Sequence, residues 1–520
     1  MTQDALATST FDKTIVRAGL GVVSALALTK LALHLMTTGA FGYSYFVDEL
    51  YYLACSEHLA WGYVDMPPLW PAVTAAVRWL LGDSLLAIRL VPALCGAGVV
   101  FLTGLFAREL GGRRFAQGLS ALAVLAAPIY LAGHSLHTMN AFEPILWTGC
   151  AYLLVRLLHG GDPRLWLAFG AVAGVGLLNK HSMALFGFGL VAGILATPLR
   201  RAFTRRWIWL GGLIAFVIFL PNLIWLIEHR FPHFEMLANI RADGRNVALE
   251  PLEFLAQQVL MLNPLAAPLW LLGLGSYLFA ERGRYRALGV AFLTVLVLLL
   301  VLDGRMYYLA PAYPMLFAGG AVAFERWLAA RGWGWLKPVS VALVTVCGLI
   351  LAPTVLPCLP PETYIRYAET LGIDQPRIET HRLGPLPQLF ADRFGWREMA
   401  EVVAGAYHSL PPEEQKEVAI FGQNYGQAGA IDLFGPALGL PKAISGHLAY
   451  HAWGPRGATG EVMIVMEDDR ETLERYFASV ESAGFVRHAY SMPYENFEIF
   501  ICRKPRQSLA EVWPRLRHWN

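Results

Sequence analysis

Residues 47–68 read VDELYYLACSEHLAWGYVDMPP and follow directly after the first long apolar segment of the chain. The stretch begins with two adjacent acids, Asp48 and Glu49, and ends at Pro67 and Pro68, which force the chain to turn. Between these limits the apolar residues have helical spacing. The sequence therefore predicts a helix with aromatic side chains that begins at an acidic pair, at the edge of an apolar segment.

The composition of the whole chain excludes an ordinary soluble protein. Of the 520 residues, 56% are hydrophobic and 15% are charged, and the mean hydropathy is +0.45. Apolar runs of roughly 15 to 25 residues with charged flanks are typical of spanning helices and not of a barrel. We predict a polytopic α-helical membrane protein with about eleven transmembrane helices. Their predicted positions are 15–37, 86–107, 116–133, 141–158, 164–178, 182–197, 207–227, 251–279, 287–302, 307–327 and 335–354.

The distribution of Lys and Arg predicts the orientation of these segments. With the N-terminus in the cytoplasm, and the first helix retained as a signal anchor, basic residues fall in every inner connection. The acids, histidines and aromatic residues gather in the outer connections. An odd number of spans places the residues after about 355 on the outer side, where the composition becomes mixed.

The predicted domains are a transmembrane module, 1–355, with a first outer loop at about 41–85, and an extracytoplasmic α/β domain, 356–520. Within the second domain, 417–424, 461–468 and 497–504 have the composition of strands, and 471–484 has a helical pattern. A glycine-rich stretch at 421–435 matches neither common nucleotide-binding pattern, so we interpret it as a structural turn or an acceptor contact.

The stretch 47–68 is dense in acidic and aromatic side chains. This combination suits the binding of a sugar and the removal of a proton from a hydroxyl group. For Asp48 a functional role is favoured, whereas Glu49 is equally well explained as an acid at a helix N-terminus. The other candidate binding residues of this stretch are Tyr51, Tyr52, His58 and Asp65.

Three further outer connections contain charged residues that lie beside or inside apolar runs and therefore need a partner or a function. Glu143 lies about one turn inside an apolar run, where an acid needs a partner or a task. Lys180 and Arg305 are cations on the outer side, and an anion such as a lipid-linked phosphate would satisfy them. Contact with lipid headgroups, or pairing of Arg305 with Asp303, explains them as well. The accompanying candidates for substrate binding are His137, Asn140, His181, Tyr307 and Tyr308.

The sequence does not predict a metal centre. The six cysteines have no paired spacing. His134 and His137 lack a close third ligand, so hydrogen-bonded histidines at an interface are the better interpretation. The long connection 228–254 is compatible with a mobile lid and with a plain connector.

The chain resembles the GT-C superfamily of polyprenyl-phosphate-dependent glycosyltransferases, in particular bacterial family 39, which is similar to protein O-mannosyltransferase and the aminoarabinose transferase. The resemblance rests on the acidic pair and five motifs that follow it in order. The motifs are YVDMPPL at 63–69, MNAFEPILW at 139–147, LLNKHSMALF at 177–186, LPNLIWLIEH at 220–229 and YYLAPAYP at 307–314.

The resemblance implies a glycosyltransferase of the bacterial inner membrane that moves a sugar from a polyprenyl-phosphate donor to an acceptor hydroxyl, with inversion, on the periplasmic side. Asp48 would be the general base. Relatives often have a second acid where this chain has Asn140, so Glu143 would supply the second catalytic carboxylate. Lys180 and Arg305 would hold the leaving phosphate.

The implied partners are the bilayer, the polyprenyl-phosphate-linked sugar and a glycan, lipid or protein acceptor, without nucleic acid. No cofactor is firmly implied, and a divalent metal is left open. Two other classes were weighed, a transporter or flippase of lipid-linked sugars and a membrane-anchored sensor or scaffold. Transporters place ionisable sites near the bilayer midplane within internal repeats, and no repeat is evident. A scaffold leaves the acids of the first outer loop unexplained.

Overall fold

The computed structural model describes residues 3–245, 247, 249–373 and 379–520, with side chains from Gly19 onward. Two positions of the predicted lid or connector, 246 and 248, and five of the predicted outer domain, 374–378, lie outside this description. The chain divides into two compact units. The helical unit comprises Met1–Thr38, Arg89–Ile224 and Ala248–Leu356; the mixed unit comprises Gly39–Ile88, Trp225–Val247 and Pro357–Asn520. The division into 1–355 and 356–520 stays a prediction.

Each apolar segment predicted from the sequence contains a helix. The helices up to residue 351 are α1 Gln3–Thr37, α2 Val47–Glu57, α3 Leu69–Leu81, α4 Leu85–Glu109, α5 Arg114–Leu125, α6 Pro128–Gly133, α7 Glu143–Leu158, α8 Leu165–Asn179, α9 Ser182–Leu195, α10 Arg206–Glu228, α11 Pro232–Ala242, α12 Pro251–Met261, α13 Ala267–Phe279, α14 Arg286–Val301, α15 Tyr313–Arg331 and α16 Leu336–Leu351. Apolar runs of this length thus form helices as the pattern predicts.

Two of these segments, 116–133 and 251–279, are broken at positions that the hydropathy pattern did not predict. The predicted span 116–133 is wrong as one helix, because Ala127 is extended before Pro128 and separates α5 from α6. The segment 251–279 bends by 96° between α12 and α13. Within the described ranges, five helices are long and apolar enough to cross a membrane, or seven if each bent pair is one span. The number of about eleven spans stays a prediction.

The helical unit has an apolar core in which some helices lie almost backbone to backbone. A Cβ added to Gly273 of α13 would lie 2.0 Å from the carbonyl oxygen of Leu316 in α15. A Cβ on Gly320 of α15 would lie 1.7 Å from the carbonyl oxygen of Leu269. Between lipid-embedded helices, close packing of small residues supplies association energy that the hydrophobic effect does not. These two glycines therefore set the distance between α13 and α15.

The mixed unit contains a small sheet. Its remaining elements are α17 Pro361–Leu371, α18 Gln388–Ala391, α19 Trp396–His408, α20 Pro412–Glu417, β1 Ala419–Phe421, α21 Tyr425–Phe434, α22 Leu448–Ala452, β2 Val462–Met466, α23 Arg470–Tyr476, β3 Phe477–Phe485, β4 Glu498–Pro505 and α24 Leu509–Val512. The strand order is β1-β2-β4-β3. Strands β1 and β2 are parallel, and β4 pairs antiparallel with β2 and β3. A strand lies inside each segment that the sequence predicted to be extended.

The helix predicted over 471–484 is wrong in its second half. Helix α23 ends at Tyr476, and the next residues form the edge strand β3. Phe477 and Val480 of this strand are buried in the apolar core of the sheet. Their spacing of three is typical of one helix face and not of one strand face, so the local pattern favours a helix. The hydrogen bonds of β4 decide the conformation, because they are available only in the folded unit.

We expect Gly273→Ala to destabilise the helical unit by about 1–3 kcal/mol, because the added methyl group overlaps a backbone carbonyl that has no room to move. The measurement is the thermal midpoint of the purified protein in detergent. Gly275→Ala, on the same helix, is the matched control, since its added Cβ has nothing within 4 Å. Equal midpoints for the two variants would contradict the close packing of α13 and α15.

Candidate functional site

The acidic pair occupies the first turn of α2 in the mixed unit. Glu49 is fully buried, and its Oε2 atom accepts a hydrogen bond of 2.8 Å from the backbone N–H of Phe46. This contact satisfies one of the free N–H groups of the helix N-terminus, where a negative charge is also favourable. Glu49 thus has a capping role, and its predicted contact with substrate stays a prediction.

Asp48 is half-buried and meets a residue from far along the chain. The hydroxyl group of Tyr425 donates a hydrogen bond of 2.8 Å to Asp48 Oδ1. Tyr425 is the first residue of α21, and the side chain of Asn424 caps this helix by accepting a bond of 2.9 Å from the N–H of Gln427. The carboxylate predicted to act as a base is therefore oriented by a neutral donor.

The close approach of α21 to α2 explains the glycines of the predicted glycine-rich turn. A Cβ on Gly426 would lie 2.4 Å from Cγ2 of Val47, and one on Gly429 would lie 2.9 Å from the backbone of Leu50. Residues three apart lie on one face of a helix. The stretch is thus a helix that packs closely on α2. The sequence analysis missed Tyr425, although the small residues at this spacing were a signal for close packing.

A second tyrosine–aspartate pair lies beside the first. The hydroxyl group of Tyr51 donates to Asp65 Oδ1 at 2.9 Å, and the rings of Tyr51 and Tyr425 are 4.8 Å apart between centroids. Burial raises the pKa of Asp65 to about 6, the bond from Tyr51 opposes this shift, and the charge of Asp48 adds to it. The predicted residues Asp48, Tyr51 and Asp65 therefore form one cluster.

Two other predicted residues of the first outer loop lie at the ends of this cluster. Tyr52 is buried, with its ring centroid 6.1 Å from that of Tyr51. His58 is exposed and stacks on Trp453 at 4.3 Å between centroids, with the guanidinium group of Arg456 at 3.4 Å from its Nε2 atom. Partial burial, and then the charge of Arg456, lower the pKa of His58. Both effects favour the neutral form of this imidazole.

Behind α21 the mixed unit contains a pair of acids, of which Glu495 is buried and Glu467 is half-buried. Glu495 accepts bonds of 3.1 Å from the side-chain amides of both Asn424 and Gln427, and Gln427 also donates to Glu467. Burial, and next the charge of Glu467, raise the pKa of Glu495, while burial raises that of Glu467. Asn424, which caps α21, and Gln427 of the same helix are thus hydrogen-bonded to two carboxyl groups with raised pKa values. The position of Tyr425 therefore depends in part on these two acids.

In the helical unit, the predicted cation and acid are partners. The Nζ atom of Lys180 donates 2.7 Å to Asn140 Oδ1 and 3.0 Å to Glu143 Oε2. The hydroxyl group of Ser182, which the sequence analysis did not select, donates to the other oxygen of Glu143. Helix ends bring these residues together: Glu143 begins α7, and Lys180 is an extended residue between α8 and α9.

Aromatic rings complete this cluster. The ammonium group of Lys180 lies 4.2 Å from the ring centroid of Tyr308 and 5.8 Å from that of Tyr307, in range for cation–π attraction. Arg305 donates to the hydroxyl group of Tyr307 at 3.4 Å. The site has a cation that is held by one carboxylate and faced by two rings. An anion that binds there would share Lys180 with Glu143.

The remaining predicted residues of the helical unit lie near the same helix ends. Nε2 of His181 is 3.1 Å from Asn222 Oδ1, and His137 is fully buried. Within the residues that the structure describes, no three His, Cys, Asp or Glu side chains are grouped as metal ligands. The predicted site residues thus form two clusters, one in each unit, and their roles stay predictions.

Comparison with known proteins finds similarity to a family model and to solved structures. Residues 65–225 match the family model of dolichyl-phosphate-mannose-protein mannosyltransferase. The structure is similar to that of ArnT from Cupriavidus metallidurans bound to undecaprenyl phosphate, with a TM-score of 0.63, 16% sequence identity and coverage of 92% of this chain and 98% of that chain. The predicted resemblance to the GT-C glycosyltransferases is confirmed.

The apo structure of the same ArnT matches with a TM-score of 0.60 at 16% identity, again over 92% of this chain and 98% of that chain. No curated protein sequence matches the chain. The fold class, a helical membrane protein with a small C-terminal sheet region, is confirmed by the structural similarity to ArnT. The match to the family model over residues 65–225 supports the assignment as a glycosyltransferase, which belongs to the proposed function.

The buried acids predict how stability depends on pH. Glu467, Glu495 and Asp65 have raised pKa values in the folded state. Their contribution to the free energy of unfolding is therefore fully present below the ordinary carboxyl pKa of about 4. It is lost as the pH rises through the pKa values of the folded state. We expect the apparent melting temperature to fall from about pH 5 to about pH 8, and Glu495→Gln to reduce this fall. Thermal unfolding followed by tryptophan fluorescence measures it.

Glu471→Gln, the same change at an exposed position of the same unit, is the control for the charge change alone. It should leave the pH dependence as in the unchanged protein. If Glu495→Gln and Glu471→Gln have the same slope of melting temperature against pH, the buried pair is not the titrating group.

Proposed function

We propose that the chain transfers a sugar from a polyprenyl-phosphate donor to an acceptor hydroxyl on the periplasmic side of a bacterial inner membrane, with inversion at the anomeric carbon. The observation that carries the proposal is the Asp48 carboxylate, half-buried and hydrogen-bonded by Tyr425, in a chain with the fold of an enzyme solved with undecaprenyl phosphate. The basic inner connections support the proposed orientation.

In this proposal Asp48 is the general base. An acceptor hydroxyl is a poor nucleophile near neutral pH, so a carboxylate takes its proton as the oxygen attacks the anomeric carbon. The hydroxyl group of Tyr425 orients this carboxylate through its hydrogen bond of 2.8 Å to Oδ1. Asp65, whose pKa burial raises to about 6, is assigned to sugar hydroxyls.

The leaving group is the lipid phosphate, which receives the electron pair of the broken carbon–oxygen bond. A phosphate ester is a weak base and needs a cation, not an acid, to hold its charge. We assign this role to Lys180, with Tyr307 and Tyr308 beside it. Glu143 is assigned to the orientation of Lys180, since its carboxylate accepts a bond from the ammonium group in the absence of substrate.

We expect Asp48→Asn to lower the rate of sugar transfer by about 10²–10⁴-fold, the usual contribution of a general base, with donor binding retained. The measurement uses purified protein in detergent with a synthetic radiolabelled polyprenyl-phosphate sugar and scores both transfer and donor hydrolysis. Asp162→Asn, the same change in an exposed turn of the helical unit, is the control. If Asp48→Asn is as active as this control, Asp48 is not the base. Donor bound but never consumed by the unchanged protein favours a carrier of lipid-linked sugars.

We expect Tyr425→Phe to lower kcat by about tenfold with little change in the KM for donor, since a hydrogen bond to a charged group contributes about 1.5–3 kcal/mol. Without this donor the carboxylate is protonated more easily, so the acid limb of the pH profile of kcat/KM moves to higher pH. Tyr407→Phe, which removes a hydroxyl bonded to the backbone of Gln415 in the same unit, is the control. An unmoved acid limb in Tyr425→Phe would argue against the role of the tyrosine.

A further inference from the structure

A long apolar groove runs along the outside of the helical unit, between α1, α5 and α16. Its volume is about 820 Å³. On α1 it is lined by a single stripe, Val22, Leu26, Thr29 and Leu33, whose spacing of three and four residues marks one helix face. Gly118 of α5 allows α1 to lie close, because a Cβ there would be 3.2 Å from Val22. The packing of one face of α1 against α5 therefore forms one wall of the groove.

The dimensions of the groove match one leaflet of a bilayer. On α16 the lining extends from Lys337 to Leu349. Twelve residues of helix at 1.5 Å each give a length of about 18 Å. Half the hydrocarbon thickness of a bilayer is about 15 Å. An extended acyl chain of one leaflet thus fits along the groove.

The cations of the groove lie at one end. Arg113 and Arg114 begin α5, and Lys337 lies in the first turn of α16. The nearby acid, Glu325, accepts hydrogen bonds from the backbone N–H groups of Arg113 and Ala116 and so caps α5. Across the part of the chain that the structure describes, none of the three cationic side chains forms an ion pair. This end of the groove has three cationic side chains and one carboxylate, that of Glu325, so its net charge is positive.

We propose that the groove is a binding site for an anionic glycerophospholipid, with an acyl chain along α1, α5 and α16 and the headgroup phosphate at Arg113, Arg114 and Lys337. The apolar lining and the basic end together match the two parts of such a lipid. The ammonium group of Lys337 lies 5.5 Å from the ring centroid of Phe115, which holds this side chain at the groove. This site is separate from the residues assigned to sugar transfer, and the inference does not rest on the proposed function.

The test is native mass spectrometry of the delipidated full chain in detergent, titrated with phosphatidylglycerol and with phosphatidylcholine of the same acyl chains. We expect one phosphatidylglycerol to bind at least about tenfold more tightly than phosphatidylcholine. The triple variant Arg113→Ala/Arg114→Ala/Lys337→Ala should lose this preference. The triple variant Arg200→Ala/Arg201→Ala/Arg205→Ala removes the same charge from another basic connection and should keep it. Circular dichroism verifies that each variant is folded.

A second pair of variants tests whether the acyl chain lies in the apolar part of the groove. Val341 lines the groove and Val339 does not, although both are 38% exposed on α16. Val341→Trp should fill the groove and abolish tight binding, and Val339→Trp should leave it intact. Equal binding of the two lipids, equal effects of the two triple variants, or equal effects of the two tryptophan variants would each overturn the proposal. It is also overturned if a polyprenyl phosphate displaces phosphatidylglycerol at equimolar concentration, since the groove then takes an isoprenoid lipid.

Discussion

Helix α21 lies against α2 at a distance that only glycine permits. A Cβ atom on Gly426 would overlap Val47, and one on Gly429 would overlap the backbone of Leu50, so the two helices would have to separate. A hydrogen bond weakens steeply over a few tenths of an ångström, so a small separation would take the Tyr425 hydroxyl out of reach of Asp48. The geometry of the candidate base therefore depends on the absence of a Cβ atom at Gly426 and at Gly429.

The acids of the mixed unit differ in state because their surroundings differ. Glu495 is buried and Glu467 half-buried behind α21, and both accept a hydrogen bond from the side-chain amide of Gln427. Loss of contact with water raises both pKa values, and the charge of Glu467 adds to the shift of Glu495. Asp65 has an intermediate pKa, since the hydroxyl group of Tyr51 partly offsets its burial. One short helix thus has two acids with raised pKa values on one side and a hydrogen-bonded carboxylate at its N-terminus.

The helical unit satisfies its buried charges by a different arrangement. Lys180 and Glu143 lie at helix ends, where free backbone groups and polar neighbours are available, and their contact compensates the cost of removing both charges from water. Ser182 gives Glu143 a further donor. In the proposed function an anionic substrate would replace part of this contact, and Glu143 holds Lys180 in place in its absence.

The sequence by itself determined the membrane class, the helical segments, the start of α2 at the acidic pair and the resemblance to the GT-C glycosyltransferases. These follow from local patterns, because hydrophobic runs and helix ends are read over a few neighbouring residues. Only the tertiary structure decided that Tyr425 meets Asp48, 377 positions away, that Lys180 pairs with Glu143, and that 477–485 is an edge strand. Contacts over such separations depend on how close two helices or strands can lie, and this is decided by packing that no local pattern encodes.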